Sequence, residues 1–193
     1  QNNWINSKFL ADIAEAYHRI GLYDEAQKLY LYLIEIMPVE QREWFYLPMI
    51  QSTFEQGSYS LVEDYASQYF FNYPEGPHTG EVLTIRLRSL IADERLNEAL
   101  KLLPSPLPEN KELYSIAGTL HFRLDDYQNC LEILKRLAAL ETTLPAKERF
   151  MLAECLFQTE AFGEAGASPW NKPGTAAGPP SHSDDRRFAT HTE

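Results

Sequence analysis

The chain has 193 residues, of which 44% are hydrophobic and 23% are charged. This length suits one compact domain or one short array of repeats, and it excludes a large multidomain enzyme. The 17 Lys and Arg residues against 28 Asp and Glu residues give a net charge of −11, which argues against a general nucleic-acid-binding protein because phosphate backbones attract basic surfaces. No apolar run approaches the roughly 20 residues that a membrane-spanning helix needs, so no membrane span is predicted.

Five similar strings of six residues recur along the chain. Each begins with a polar residue or glycine and has a large apolar residue third and usually a small residue sixth; the strings are 21–26, 57–62, 94–99, 125–130 and 160–165. They return at intervals of roughly 31–37 residues, which is the period of helical solenoid repeats. This spacing predicts a stack of similar units, each containing one turn.

The first unit carries a helical stripe on each side of its turn. The stripes are Leu10, Ile13, Ala14 and Tyr17, and then Ala26, Leu29, Tyr30 and Leu33. Both have the i, i+3, i+4, i+7 spacing of an amphipathic helix, and Pro38 follows where the second helix must end. One hairpin cannot bury both stripes, so neighbouring hairpins are expected to stack and form the core between them.

The later units repeat this register with weaker stripes. Their predicted core residues on the first helix of each hairpin are Tyr46, Met49, Ile50 and Thr53; Leu83, Arg86, Leu87 and Leu90; Tyr114, Ala117, Gly118 and His121; and Leu152, Ala153 and Leu156. Pro48 is expected to kink or split its helix, and Pro104, Pro106 and Pro108 are expected to shorten another helix to about two turns.

The first unit, with Ala26-x-x-x-Tyr30 and Pro38 after its first stripe, resembles the tetratricopeptide repeat (TPR) in residue type and spacing. The resemblance implies an all-α, right-handed superhelical solenoid of antiparallel helix hairpins over residues 1–165. The repeats are expected at about 7–40, 43–76, 80–108, 111–144 and, incomplete, 146–165. The setting of Pro74 also resembles repeats of bacterial envelope assembly proteins, which favours a bacterial-type array. The incomplete fifth repeat is compatible with a fragment of a longer array.

The composition changes at Gly166. Residues 166–193 are rich in Gly and Pro and carry no helical stripe, which predicts a disordered or non-native tail. The helix before it, expected at about 147–159, is apolar around most of its circumference. The polar residues that interrupt this apolar surface are Glu148, Arg149, Glu154 and Gln158. Because the expected partner helix after Ala165 is missing, this end of the array is predicted to self-associate or to continue into further repeats.

The sequence carries no motif of a catalytic or cofactor site. It has no glycine-rich phosphate loop, no nucleophile elbow and no metalloprotease histidine pair. Cys130 and Cys155 lie in apolar, helix-like stretches and are expected to be buried free thiols, since they form neither a disulfide framework nor a zinc motif. We therefore expect no enzyme activity, no cofactor and no metal.

The TPR resemblance implies that the first helix of each hairpin lines the concave side of the array. There the predicted groove has a polar row of Glu15, Gln51, Arg88, Thr119 and Glu154, and a mostly apolar row of His18, Phe54, Ile91, Phe122 and Phe157. Trp44 and Phe150 are candidate exposed anchors, and Leu47 shares the stripe of Trp44. Such a groove suits a peptide that is extended or forms one helix, although the apolar row could instead pack between hairpins.

Three hypotheses about function follow. The first is a non-catalytic scaffold that binds a peptide or protein segment in the concave groove. The second is a regulatory or targeting module of a larger enzyme, and the third is a self-assembling structural array. The partner is expected to be basic or neutral rather than acidic, because the chain is acidic overall. The cytoplasm and the bacterial periplasm or envelope are both compatible with the sequence.

Overall fold

A computed structural model describes the backbone of residues 2–141 and 143–166, and the side chains of residues 7–141 and 143–160. These residues form nine α-helices and no strand. The helices are α1 (Asn2–Arg19), α2 (Tyr23–Ile36), α3 (Val39–Glu55), α4 (Tyr59–Asn72), α5 (Thr79–Ala92), α6 (Leu96–Leu102), α7 (Lys111–Arg123), α8 (Tyr127–Leu140) and α9 (Ala146–Gly166). From residue 167 onward, the predicted tail lies outside the described residues.

The helices pack as a linear array of hairpins. Helices α1 and α2, α3 and α4, α5 and α6, and α7 and α8 form successive hairpins, and the second helix of each hairpin contacts the first helix of the next. The first helices α3, α5, α7 and α9 also contact one another in turn. Each unit therefore packs mainly against its neighbours in the sequence, as expected of a solenoid.

Four of the recurring strings form the same turn. The first residue of each string has a positive φ, at Gly21 (83°), Gly57 (79°), Glu94 (60°) and Asp125 (56°). The N–H of the following residue bonds a carbonyl five residues back, as between Leu22 and Tyr17 at 2.9 Å. This bond is the Schellman closure of a helix C-terminus, and the second helix begins immediately afterwards at the apolar third residue.

The core consists of three clusters of buried residues along the array. The first draws on α1 to α5 and includes Ala14, Ala26, Tyr46 and Val82. The second draws on α5, α6 and α7, and the third on α7, α8 and α9. The stripe predicted for α3 is buried, and so is that of α7 except for His121. In the stripe predicted for α5 only Leu87 and Leu90 are buried, whereas Leu83 and Arg86 are half-buried.

Helix α9 differs from the prediction in two ways. It continues to Gly166, so the turn predicted at 160–165 is wrong. Its buried side chains include Met151 and Cys155, whereas Ala153 and Leu156 of the predicted stripe are exposed. Glu148, expected on the surface, is buried and accepts a hydrogen bond of 2.6 Å from the hydroxyl of Ser115. That bond joins α9 to α7 and gives the buried carboxylate a partner.

The prolines shorten one helix and leave another uninterrupted. Helix α6 has 7 residues and ends before Pro104, which confirms the prediction of about two turns. Helix α3 runs continuously through Pro48, so of the two predicted effects the split is wrong and the kink stays a prediction. Because Pro48 has no N–H, the carbonyl of Trp44 lacks its usual donor four residues further on.

A buried tyrosine ties the second hairpin to the turn that follows it. The hydroxyl of Tyr69 donates to Glu43 Oε1 at 2.9 Å and accepts from the backbone N–H of His78 at 3.1 Å. Burial, and next its bond to Glu43, raise the pKa of Tyr69 to about 12, so it remains a neutral donor at physiological pH. A Cβ at Gly76 would collide with both Glu43 Oε1 and the Tyr69 hydroxyl.

Gly76→Ala is expected to lower the free energy of unfolding by about 1–3 kcal/mol, because it separates buried hydrogen-bonding partners. Gly80→Ala is the matched control, since a Cβ there meets nothing within 4 Å. Urea denaturation of both variants measures the difference. Equal stabilities would show that the network of Tyr69 adds nothing to the fold.

Candidate functional site

Three cavities adjoin one another along the first helices of the hairpins. The N-terminal cavity, of about 410 Å³, lies between α1 and α3 and is also lined by Tyr30 of α2. The central cavity, of about 360 Å³, is lined by α1, α3, α5 and α7. The C-terminal cavity, of about 200 Å³, is lined by α5, α7 and α9. His18 and Gln51 line both the N-terminal and central cavities, and Arg88 and Glu112 line both the central and C-terminal cavities, so the three form one groove.

The N-terminal cavity has aromatic walls. Tyr30, Trp44 and Phe45 line it, together with Asp12 and the ion pair of Glu15 with Arg19. Trp44 is 65% exposed and packs edge-on against the ring of His78, with 5.9 Å between the ring centroids. Burial, and next the charge of Glu15, raise the pKa of Tyr30 to about 12, so its hydroxyl is neutral at physiological pH. These walls offer apolar surface with a few polar groups, as small binding sites commonly do.

His18 lies at the boundary between the N-terminal and central cavities. The hydroxyl of Ser52 donates to the carbonyl of Pro48 at 2.8 Å, so its oxygen accepts from Nδ1–H of His18 at 2.9 Å. This assignment follows from the hydrogen-bond network. The His18 ring also packs edge-on against Tyr23, with 5.2 Å between centroids. Both contacts fix the ring between the two cavities.

The central cavity carries most of the groove's negative charge. Its carboxylates are Glu55 of α3, Glu81 of α5 and Glu112 of α7, and its cationic side chain is Arg88. Arg88 Nη1 lies 3.5 Å from Glu112 Oε1, at the boundary with the C-terminal cavity. The C-terminal cavity adds Lys147 of α9 and the small side chains of Ser115 and Thr119. The charge of the groove therefore changes along the array from acidic to basic.

The structure brings together most of the side chains that the sequence predicted for the groove. Those lining the three cavities are Glu15, His18, Trp44, Gln51, Phe54, Arg88, Ile91 and Thr119. Leu47, Phe122, Phe150, Glu154 and Phe157 do not line them. Leu47 is buried in the first core cluster, which leaves little of its surface for a partner.

The aromatic residues on the last helices occupy different environments. Phe122 is half-buried against the third core cluster, and its ring lies 6.3 Å from that of Phe150. Phe150 and Phe157 are 63% and 66% exposed. The predicted exposure of Phe150 is therefore observed, but its side chain lies outside the cavities.

The sequence analysis did not assign Asp12 and Glu55 to the groove. Asp12 lies three residues before Glu15, and Glu55 lies four residues after Gln51. Residues at these spacings share one face of a helix, and this could have identified them. Neither carboxylate forms an ion pair or side-chain hydrogen bond with the residues that the structure describes.

Within the described parts of the chain, no group of three or more His, Cys, Asp or Glu side chains could hold a metal ion. None of the helices described there combines the length and apolar character needed to cross a membrane.

The fold can be compared with known proteins. No protein-family model matches the chain, and no curated protein matches it at a significant level. It is similar to the nearly identical TPR-like repeats of a Podosopora anserina protein named as a kinesin light chain, with 16% identity over 83% of this chain and 90% of that chain and a TM-score of 0.61. A single-substitution variant of that protein gives 15% identity over 83% and 89% of the two chains, with a TM-score of 0.62.

Identities this low establish a likeness of fold alone. The helix order, the repeated turns and these neighbours confirm the predicted fold class. The protein has an all-α, TPR-like fold: a solenoid of helix hairpins.

Proposed function

We propose that this protein is a non-catalytic scaffold that binds a peptide or protein segment in the groove of the first helices. TPR-like folds generally mediate protein–protein interactions and are typically non-catalytic. The observation that carries the proposal is the joining of three cavities into one groove, lined by side chains from α1, α3, α5, α7 and α9. A groove of this kind accepts an extended segment or one face of a helix.

The N-terminal cavity supplies the anchor of the proposed site. Trp44 is exposed there, and large aromatic side chains dominate the binding energy of protein interfaces. A peptide can supply the apolar side chain that would cover this aromatic surface.

The proposal is tested by blocking the groove. Gln51 is exposed and lines both the N-terminal and the central cavity, so Gln51→Trp places a large side chain across their junction. Peptides of about ten residues, selected from a random display library on the immobilised chain, are expected to lose roughly tenfold or more in affinity for this variant. Fluorescence anisotropy measures the affinities.

Gln68→Trp is the matched control, because Gln68 is exposed on α4 and lines none of the three cavities. It is expected to bind the selected peptides as the unaltered chain does. Peptides that bind Gln51→Trp and Gln68→Trp equally well would place the binding surface elsewhere and contradict the proposal.

A second candidate function is self-assembly through the end of the array. It is favoured by the exposed side chains of Phe150 and Phe157, which lie seven residues apart on one side of α9. The role of regulatory or targeting module in a larger enzyme also stays a proposal, since the same groove would serve it.

A further inference from the structure

The central cavity differs from its neighbours in the balance of its charges. Its carboxylates come from three successive first helices, so stacking of the hairpins brings these like charges to one place. Arg88 lies 3.5 Å from Glu112, and His78 Nδ1 lies 3.5 Å from Glu81 Oε2. Glu55 has no such partner among the described residues. A cation that enters the cavity would therefore meet carboxylates whose negative charge is only partly balanced by neighbouring cationic groups.

The remaining walls of this cavity suit the aliphatic part of a long basic side chain. Phe54 is half-buried and Ile85 is buried, and both line the cavity. Lys and Arg side chains bury their methylene groups against such surface while their charged ends reach polar partners. The face of an aromatic ring such as Phe54 also attracts a cation.

The two neighbouring cavities determine which side chains of a partner segment can flank a basic residue in the central cavity. The N-terminal cavity, with Trp44, Tyr30 and Phe45, offers an apolar side chain the larger contact surface. The C-terminal cavity contains Lys147 beside Arg88, and these charges disfavour a second basic residue there. The N-terminal cavity also contains Asp12 and the ion pair of Glu15 with Arg19, so the groove presents a mainly aromatic stretch, a more acidic stretch and a basic stretch in that order.

We propose that the central cavity selects a partner segment carrying a basic side chain, arginine or lysine, next to an apolar residue held in the N-terminal cavity. The cation lies among Glu55, Glu81 and Glu112, with its aliphatic part on Phe54 and Ile85. This inference rests on the proposed function, because it names the partner chemistry of the same groove.

The first measurement is the composition of the peptides selected from the random library. The unaltered chain is expected to enrich arginine and lysine over glutamate and aspartate, next to an apolar residue. The double variant Glu55→Gln/Glu81→Gln is expected to lose that enrichment. Because both positions are exposed and keep side chains of the same shape, circular dichroism should show unchanged helix content.

The second measurement is the affinity for one selected basic peptide. Loss of the two charges is expected to weaken binding by roughly three- to twentyfold, as removal of exposed ion pairs does. Added salt should weaken binding to the unaltered chain more than to the double variant, because exposed charges are screened. Replacement of the peptide's basic residue by glutamine should abolish the difference between the two proteins.

The matched control is Glu35→Gln/Asp64→Asn, which removes two exposed carboxylates from α2 and α4, away from the cavities. An equal loss of affinity in this control would show that net charge acts rather than the cavity, and would overturn the inference. If the selected peptides show no enrichment of basic residues but bind Gln51→Trp more weakly than the unaltered chain, the inference is overturned and the proposed function stands. If they bind Gln51→Trp as tightly as the unaltered chain, both the inference and the proposed function are overturned.

Discussion

Ala26→Trp is expected to destabilise the array more than any exposed substitution of the same kind. Ala26 has no exposed surface and lies on α2 within the first core cluster, where Ala14 and Ala66 are also fully buried. These small side chains allow adjoining helices to approach closely, so an indole ring has no space there. Overpacking typically costs about 1–3 kcal/mol, and the size of this change places it at the upper end or beyond.

Thermal and urea unfolding measure this effect. Ala16→Trp is the matched control, because Ala16 is exposed on α1 and can carry an indole ring in solvent. If the two variants unfold at the same temperature, Ala26 does not lie at a helix contact, and the packing of the first hairpin described above is wrong.

Phe150→Glu/Phe157→Glu is expected to convert a self-associating protein into a monomer. The two rings are exposed on the same side of α9, with exposed Ala153 between them. Exposed apolar side chains that share one side of a helix commonly mark an interface, and carboxylates in their place would have to lose their water on association. Sedimentation or light scattering across a hundredfold dilution should show a falling mass for the unaltered chain and a constant mass for the variant.

Phe9→Glu/Phe71→Glu is the matched control, because these rings are 64% and 87% exposed and lie on α1 and α4. It should associate as the unaltered chain does. A monomeric unaltered chain at roughly 100 μM, a concentration that populates even weak complexes, would contradict self-association through α9.

The hairpins could be predicted from the sequence because two independent patterns, the apolar stripes of the helices and the recurring turn strings, agree in them. Each turn between the helices of a hairpin follows a helix with one apolar stripe, and Gly21 and Gly57 supply the left-handed conformation that closes two of these turns. Helix α9 has apolar residues on more than one face, so periodicity alone could not select Met151 and Cys155 over Leu152 and Leu156. The hydrogen bond from Ser115 to Glu148 lies on the buried face of α9. Because its two residues are far apart in sequence, no pattern within one helix could predict it.

The groove could be predicted in part for the same reason. Glu15, Gln51 and Arg88 occupy equivalent positions on successive first helices, so their register brought them to one groove. Leu47 was misplaced because residues next to the core stripe can face a neighbouring helix as readily as solvent. The environment of the charged groups depends on contacts between hairpins, such as that of Arg88 with Glu112, which no pattern within one repeat contains.

Two helices link the three clusters of the core. Helices α5 and α7 each contribute buried residues to two clusters. The central cavity has walls from α1, α3, α5 and α7, so it adjoins hairpins whose buried residues belong to different clusters. A segment bound there would contact several hairpins at once, and by mass action its binding free energy would oppose their unfolding. Occupancy of the groove is therefore expected to raise the melting temperature of the array.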